Sequence, residues 1–387
     1  MTSRWSALAI LFTVRMTMGF QFQAVAATGP LFMERHGASL ADLGFLIGLY
    51  MLPGFVIALP GGGIARLLGD KRVVTAALGL MVLGGLLMWR VPLWEAQVAG
   101  RVLAGTGGVL LNVLMSKMVQ DWFAGREIAT AMGIFVNSWP VGIALALVVL
   151  PPFAASMGLS VAFGVTVAVN LAALALFAAL YRDAPQGRRG GAKGGWPVGP
   201  ALTGILLAAL IWGFYNAAIA MVFSFGPTLL TERGYTLAEA SSTTSLALWL
   251  GALSVPAGGI LADRLGQSDA VLTLGLAGFG ATFLMVLQPG LPALAFVMVG
   301  LIFGLPAGPI MALPTRVLPA ETRALGMGLF FTLYYVVMVA APALAGVAAE
   351  ALGRSEAAFW LGIGFLVLCL LAFAAFLRLV RAMQPVQ

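Results

Sequence analysis

Long apolar runs separated by short polar or charged turns repeat along the whole chain. A helix that crosses a bilayer needs about 20 mostly apolar residues. By that criterion the runs predict twelve spanning helices, at 5–29, 41–65, 73–90, 95–119, 127–151, 159–181, 201–226, 237–262, 270–288, 291–314, 322–348 and 356–379. Most connections are short, as expected of neighbours in a bundle. The exception, 182–200, is Gly-rich and basic and reads as a flexible linker. It divides the chain into a first bundle at 1–181 and a second at 201–387, six predicted spans each.

The two halves are diverged copies. At an offset of 197 positions Gly226-Pro227 falls on Gly29-Pro30, Gly234 on Gly37, Glu239 on Asp42, Gly251 on Gly54 and Gly266 on Gly69. No gap is needed, and such self-similarity is the mark of an internal repeat. An even number of spans per half makes the halves parallel repeats, related by an axis along the membrane normal. The predicted fold is an all-α membrane protein, with two pseudo-symmetric six-helix bundles around a central cavity.

Composition sharpens this picture. The chain is 61% hydrophobic and 9% charged, with a mean hydropathy of +1.02. Soluble domains carry about 25% charged residues, so lipid must solvate this surface. The run after Arg4 continues past Arg15 without a cleavage site and reads as a retained first span. The formal charge of +7 is scattered singly between apolar runs, which argues against nucleic acid as a partner. Its distribution does orient the chain. Arg4, Arg66, Lys71, Arg72, Arg126, the linker cations, Arg264, Arg316, Arg323, Arg378 and Arg381 fall on one face, against Arg35, Arg90, Arg233 and Arg354 on the other. Both termini and the linker are therefore expected in the cytoplasm. Cys369 is the single cysteine and His36 the single histidine, so no metal or cofactor is expected. Without a Walker loop or a Ser/His/Asp set the chain reads as neither an ATP-driven pump nor an enzyme.

The turn Gly259-Ile260-Leu261-Ala262-Asp263-Arg264-Leu265-Gly266, the six-plus-six arrangement and the basic central loop resemble the major facilitator superfamily. In the first half the same slot holds Gly62, Arg66 and Gly69, with Arg66 where the family has an acid. The resemblance implies a conformational latch on the inner face. Asp263 is expected beside Arg126 at the start of the fifth span, and Arg66 is expected to lack that contact. Asp70, one helical turn later, is the candidate substitute. The fourth span carries a second family motif, Arg101-x-x-x-Gly105-x-Gly107. The Gly-Pro run of drug antiporters is missing, since the fifth span reads Asn137-Ser138-Trp139-Pro140. The Gly-rich signature of nitrate porters is missing too. An arginine in the first span is loosely similar to the cyanate-permease branch.

All acids from Glu34 to Glu356 fall in loops or at helix ends, whereas Arg15, Arg101 and Lys117 lie inside predicted spans. An intramembrane cation costs a few kcal/mol and faces a cavity, a partner or a ligand. Arg15, near the midplane, is the candidate anion-binding residue, and a structural arginine bonded to carbonyls is the alternative. Arg101 is expected to face water as a second positive charge, with Gly105 for packing, and Lys117 to snorkel. The offset places Trp212 opposite Arg15. Trp212 and Tyr215 are expected to wall the site, with Gln23, Asn112 and Asn216 donating hydrogen bonds. Asn137, Trp139, Tyr334 and Tyr335 are further candidates. Pro140, Pro306, Pro309 and Pro314 are expected to kink the fifth and tenth spans.

The sequence therefore reads as a secondary active transporter of a bacterial-type inner membrane. It would move a small anionic organic solute by alternating access, as a monomer whose other partners are the lipid bilayer and any coupling ion. A multidrug exporter of the same superfamily and a membrane sensor on a transporter scaffold are the alternatives.

Overall fold

A computed structural model describes residues 3–57, 69–123, 128–184, 195–319 and 322–383. Among them every regular element is helical, and twelve helices are long and apolar enough to cross a membrane. In chain order these spans are Arg4–Ala27, Leu40–Ile57, Asp70–Arg90, Trp94–Trp122, Ile134–Met157, Leu159–Leu180, Pro200–Glu232, Leu237–Leu265, Ser268–Leu287, Pro292–Arg316, Leu325–Leu352 and Glu356–Met383. The first span carries the fourth, fifth and sixth against it, and the third packs on the fourth and sixth. Each main pairing recurs six spans later: first with fifth as seventh with eleventh, first with sixth as seventh with twelfth, third with fourth as ninth with tenth.

The repeat extends to local detail. Ser39 and Asp42 form a capping box at the start of the second span, and Thr236 and Glu239 form one at the equivalent start of the eighth. Each box satisfies two N–H groups that the first helical turn leaves open. Gly37 and Gly234 precede them at φ 61 and 90, and Gly69 and Gly266 follow at φ 88 and 61, a region in which glycine carries no Cβ penalty. The predicted equivalence of the two turns therefore holds wherever both copies are described. Gly62 and Arg66 of the first copy lie outside the described residues, as does Arg126.

Two helices outrun the sequence-based boundaries at prolines. The fifth span passes Pro151 and Pro152 and ends at Met157, and the seventh passes Pro227 and ends at Glu232. Proline removes the N–H that would bond the carbonyl four residues earlier. For Pro227 that carbonyl is Phe223 O, and Gln23 Nε2 of the first span donates to it at 2.5 Å. A neighbouring span thus supplies the missing donor, the condition under which proline persists inside membrane helices. The tenth span breaks as predicted, into Pro292–Phe303, Ala307–Ala312 and a 3-10 turn at Leu313–Arg316.

The halves meet where the second span packs on the eleventh, the fifth on the eighth and the first on the seventh. Between second and eleventh the approach is backbone to backbone. A Cβ on Gly44 would stand 2.2 Å from Pro342 O, one on Gly48 2.3 Å from Val339 O, and one on Gly346 2.4 Å from Leu40 O. Small residues let helices close to this distance. Glu350 of the eleventh span accepts from the Ala41 N–H at the start of the second.

Candidate functional site

The fifth span explains where the Arg15 side chain goes. Pro140 leaves Val136 O without its helical donor, and the helix is interrupted at Asn137, between Ile128–Val136 and Ser138–Met157. Arg15 Nη1 supplies the donor. It lies 3.0 Å from Val136 O, 3.1 Å from Phe135 O and 2.9 Å from Ser138 Oγ. The guanidinium carbon sits 4.8 Å over the Phe135 ring. Nε donates to Asn112 Oδ1 of the fourth span at 2.9 Å. Nη2 makes no hydrogen bond among the described residues, and no described carboxylate forms an ion pair with Arg15. The side chain is 8% exposed. The structural alternative for Arg15 is met at Nη1, which mends a kinked helix, while Nη2 has no protein partner among the described residues.

Asn112 continues the chain of bonds into the other half. Its Nδ2 donates to Tyr335 Oη of the eleventh span at 3.2 Å, the only side-chain-to-side-chain hydrogen bond between the halves among the described residues. The Tyr335 ring also covers Gly54, whose Cβ would stand 2.4 Å from it. Tyr334 lies 5.1 Å from Tyr335 and 6.3 Å from Trp212, centroid to centroid. Both tyrosines stand within electrostatic reach of Arg15. A cation, an amide and three aromatic rings from both halves therefore converge. Asn112, Trp212 and Tyr334 are half-buried, so this cluster keeps open surface.

Enclosure changes sharply along the first span. Trp5, Ala9 and Thr13 are exposed, at helical spacing, toward the face that carries the N-terminus. From Thr17 to Gly29 every residue is buried, as is every residue from Ala220 to Leu230 of the seventh. Phe22 and Phe223 meet edge to face at 5.8 Å within that zone. The cluster at Arg15 is consequently sealed toward the opposite face.

Several expected contributors are committed elsewhere. Arg101 does not face water. It is 1% exposed and donates to Leu46 O at 2.9 Å, Gln21 O at 3.2 Å and Phe22 O at 2.7 Å, between the rings of Tyr50 and Phe22. Three carbonyls and two π-faces satisfy it, so it ties the first, second and fourth spans together and is no second charge for a ligand. Gly105, as expected, is a packing position, with a Cβ clash at 2.1 Å from Tyr50 O. Gln23 is fully buried with Nε2 engaged on Phe223 O, which removes it as a donor to solute. Tyr215 is 1% exposed and donates to Phe303 O at 2.8 Å, so it backs Trp212 from 5.5 Å without walling open space. Asn216 Nδ2 bonds Trp212 O within its own helix. Trp139 is half-buried and leans on Phe22 at 5.1 Å, and Asn137 is half-buried at the helix break without capping it.

On the face that carries the N-terminus, Lys117 does not simply snorkel. Its Nζ bonds Asp70 Oδ2 and lies 3.3 Å from Asp121. Asp70 is thereby tied within its own half, not across the halves as a substitute latch. Asp263 and Arg264 are exposed in the last turn of the eighth span, which Gly266 ends. Tyr335 and Ser138 contribute more than their sequence suggested. The signal for Ser138 was Pro140, whose freed carbonyl four residues back marks where a donor must arrive.

A family model described as Major Facilitator Superfamily matches residues 11–237 and again 201–386. Among curated proteins, the probable sulfoacetate transporter SauU of Cupriavidus necator is 26% identical over 66% of this chain and 65% of its own length. The choline/ethanolamine transporter FLVCR2 of Rattus norvegicus is 23% identical over 38% of this chain and 28% of its own. The chain thus spans less than two thirds of these curated relatives. Among solved structures, a bacterial homologue of the human lysosomal transporter Spinster, inward-facing and occupied, superposes with a TM-score of 0.77. It covers all of both chains at 14% identity, which speaks to the fold alone.

Proposed function

The chain belongs to the Major Facilitator Superfamily, a multi-pass transporter and not an enzyme, and from that premise we propose that it moves a small organic anion by alternating access. Residues 1–181 and 201–387 are the two bodies that rock about the site, with both termini in the cytoplasm and the inner membrane as its location. The observation that carries the reading is Arg15. A guanidinium near mid-membrane, with no carboxylate paired to it and Nη2 unbonded among the described residues, sets up a positive potential between the halves. A cation would find no counter-charge there, since the described acids sit at span ends or in loops. Arginine suits an oxyanion because its fork matches a carboxylate or sulfonate with two parallel bonds. Trp212 and Tyr334 supply the flanking walls. The relative named for sulfoacetate, which carries both groups, points to the same class.

The test is uptake and counterflow in proteoliposomes, with sulfoacetate as probe, acetate and methanesulfonate as its singly charged pieces, and choline as cationic control. Arg15→Lys should keep the charge and lose the fork, lowering transport. Truncating one partner of a buried charged pair costs about 2–5 kcal/mol, so Arg15→Gln should reduce affinity by a factor of ~30 or more. Because Arg15 also mends the fifth span, Arg15→Gln belongs in a Pro140→Ala background, which returns an N–H to Val136 O. A double variant that folds and transports sulfoacetate at the Pro140→Ala rate would end the anion reading.

A further inference from the structure

Arg15 offers an oxyanion two forks, and the structure weights them unequally. The end-on fork combines Nη2 with Nη1, which is already held by Phe135 O, Val136 O and Ser138 Oγ. Taking it would unpick the repair of the Pro140 kink. The side-on fork combines Nη2 with Nε, which is held only by Asn112 Oδ1. The side-on fork displaces only that bond, whereas the end-on fork takes one of the two Nη1 N–H groups that three acceptors already share. Asn112 is also the residue whose Nδ2 reaches Tyr335 Oη in the other half.

We propose that the solute takes the Nε–Nη2 edge of Arg15 and displaces Asn112, and that Asn112 and Tyr335 are the positioning residues through which this occupancy is read by the second half. The inference rests on the anionic reading of the site. In the empty carrier the bonds form a directed chain: cationic Nε–H to Asn112 Oδ1, then Asn112 Nδ2–H to Tyr335 Oη. A charged donor at the head polarises the amide and strengthens the next bond. An anion on the fork neutralises the head and accepts the Nε–H hydrogen bond in place of Asn112 Oδ1. Two acceptor oxygens cannot face each other, so Asn112 must turn its Nδ2 toward the anion. Tyr335 is then left at most a neutral contact with Asn112 Oδ1, to which its hydroxyl donates. Binding thus replaces a charge-fed bond across the halves with a weaker one.

The place of Tyr335 gives that change leverage. Its ring closes on Gly54 of the second span, in line with the backbone contacts at Gly44, Gly48 and Gly346 that seal the opposite face. A weaker hold at Tyr335 lowers the barrier to parting that seam. The empty carrier is held shut at the opposite face, and the loaded one is released. Only differential affinity for the two states can drive such a shift, and the displaced Asn112 bond supplies it.

The experiment uses a reporter, Leu43→Cys. Leu43 is fully buried, and a Cβ on Gly29 would stand 3.3 Å from its side chain and 3.4 Å from Thr228 Oγ1 of the seventh span, so it lies beside the contact between the halves and reports its opening. The native Cys369 is fully buried as well. In the parent, sulfoacetate should raise the maleimide labelling rate several-fold. Tyr335→Phe removes one oxygen and keeps the ring on Gly54. It should label without sulfoacetate about as fast as with it, while thermal stabilisation by sulfoacetate shows a Kd within about threefold of the parent. A Tyr335→Phe protein whose labelling still responds to sulfoacetate as the parent does overturns the relay alone. If no anion of the panel stabilises the parent, the anionic reading falls, and the relay with it. Asn112→Ala is the second variant. It should abolish the labelling response, and because the freed Nε offsets the lost Nδ2 contact to the anion, sulfoacetate should still bind. Loss of binding in Asn112→Ala, with folding intact, would also overturn the displacement.

Discussion

Substituting Gly44 by alanine should tip the conformational balance of the carrier, by an amount the packing geometry bounds. The added Cβ would lie 2.2 Å from Pro342 O and 3.0–3.1 Å from the Gly346 Cα and N, where 3.4 Å begins ordinary contact. Every atom it meets is backbone, so no rotamer change relieves it, and the second and eleventh spans must part by about 1 Å. Overpacking of this kind costs about 1–3 kcal/mol. At 1.4 kcal/mol per tenfold, that is a factor of about 5–150. The cost falls only on the state sealed at the opposite face. The gain in helix propensity from Gly to Ala, up to about 1 kcal/mol, applies to both states and cancels. Gly44→Ala should therefore raise labelling of Leu43→Cys in membranes by a factor in that range without solute, and Gly44→Leu should hold the seam open and stop transport. Gly79→Ala is the internal control, because its Cβ would meet nothing within 4 Å. The reasoning is refuted if Gly44→Ala labels at the parental rate, or if Gly79→Ala raises labelling equally.

Two further outcomes follow from groups away from the site. Arg101→Met should lower the melting temperature strongly, since hydrogen bonds from a charged donor contribute about 1.5–3 kcal/mol each and three buried carbonyls lose theirs. The affinity of the folded fraction for sulfoacetate should stay within about threefold, and an affinity loss without a fall in melting temperature would return Arg101 to the binding site. His36, against Phe32 at 4.5 Å, is held below its ordinary value by burial and then by Arg35. The folded chain therefore resists protonating it. Its contribution is complete above about pH 6.5, the ordinary histidine value, and is lost as pH falls through the depressed folded value. Thermal unfolding of His36→Gln between pH 7.5 and about 5 should accordingly be flatter than the parent's, and an identical slope would count against the assignment.

How much of this was legible in the sequence depended on the range of the interaction concerned. Hydrophobic runs located all twelve spans, because a bilayer demands a fixed apolar length and every helix must meet it. The offset of 197 paired Glu239 with Asp42, and the structure shows each as the acid of a capping box settled within four residues: Ser39 to Asp42, Thr236 to Glu239. Helix ends near proline were misjudged because proline ends a helix only if nothing repairs it. The repair of Pro227 comes from Gln23, two hundred residues away. No local pattern contains that information. Tyr335 was undervalued for the same reason. Its bond to Asn112 exists only once the halves are docked, and its sequence neighbours look like those of any aromatic in a span.

Arg15 and Arg101 were indistinguishable by type, and both were placed within the membrane. Which nitrogens are held separates them. A guanidinium has three nitrogens and five N–H bonds. Around Arg101 the carbonyls of Leu46, Gln21 and Phe22 engage each nitrogen once, and with the residue 1% exposed between the rings of Tyr50 and Phe22 no edge is open to a ligand. Around Arg15 the acceptors crowd Nη1 and Nε, because Pro140 sets two of them on one side and Asn112 sits on the other. The protons of Nη2 are left over. A cation held within a membrane span costs a few kcal/mol unless it faces a cavity, a partner or a ligand, and a chain that only needed to mend a kink could have done so with an amide, as Gln23 does at Phe223 O. The same structural task is thus performed in one place by a neutral side chain and in the other by a cation with an unused edge. The excess charge at Arg15 is what packing does not require, and that edge is where the proposed anion would bind.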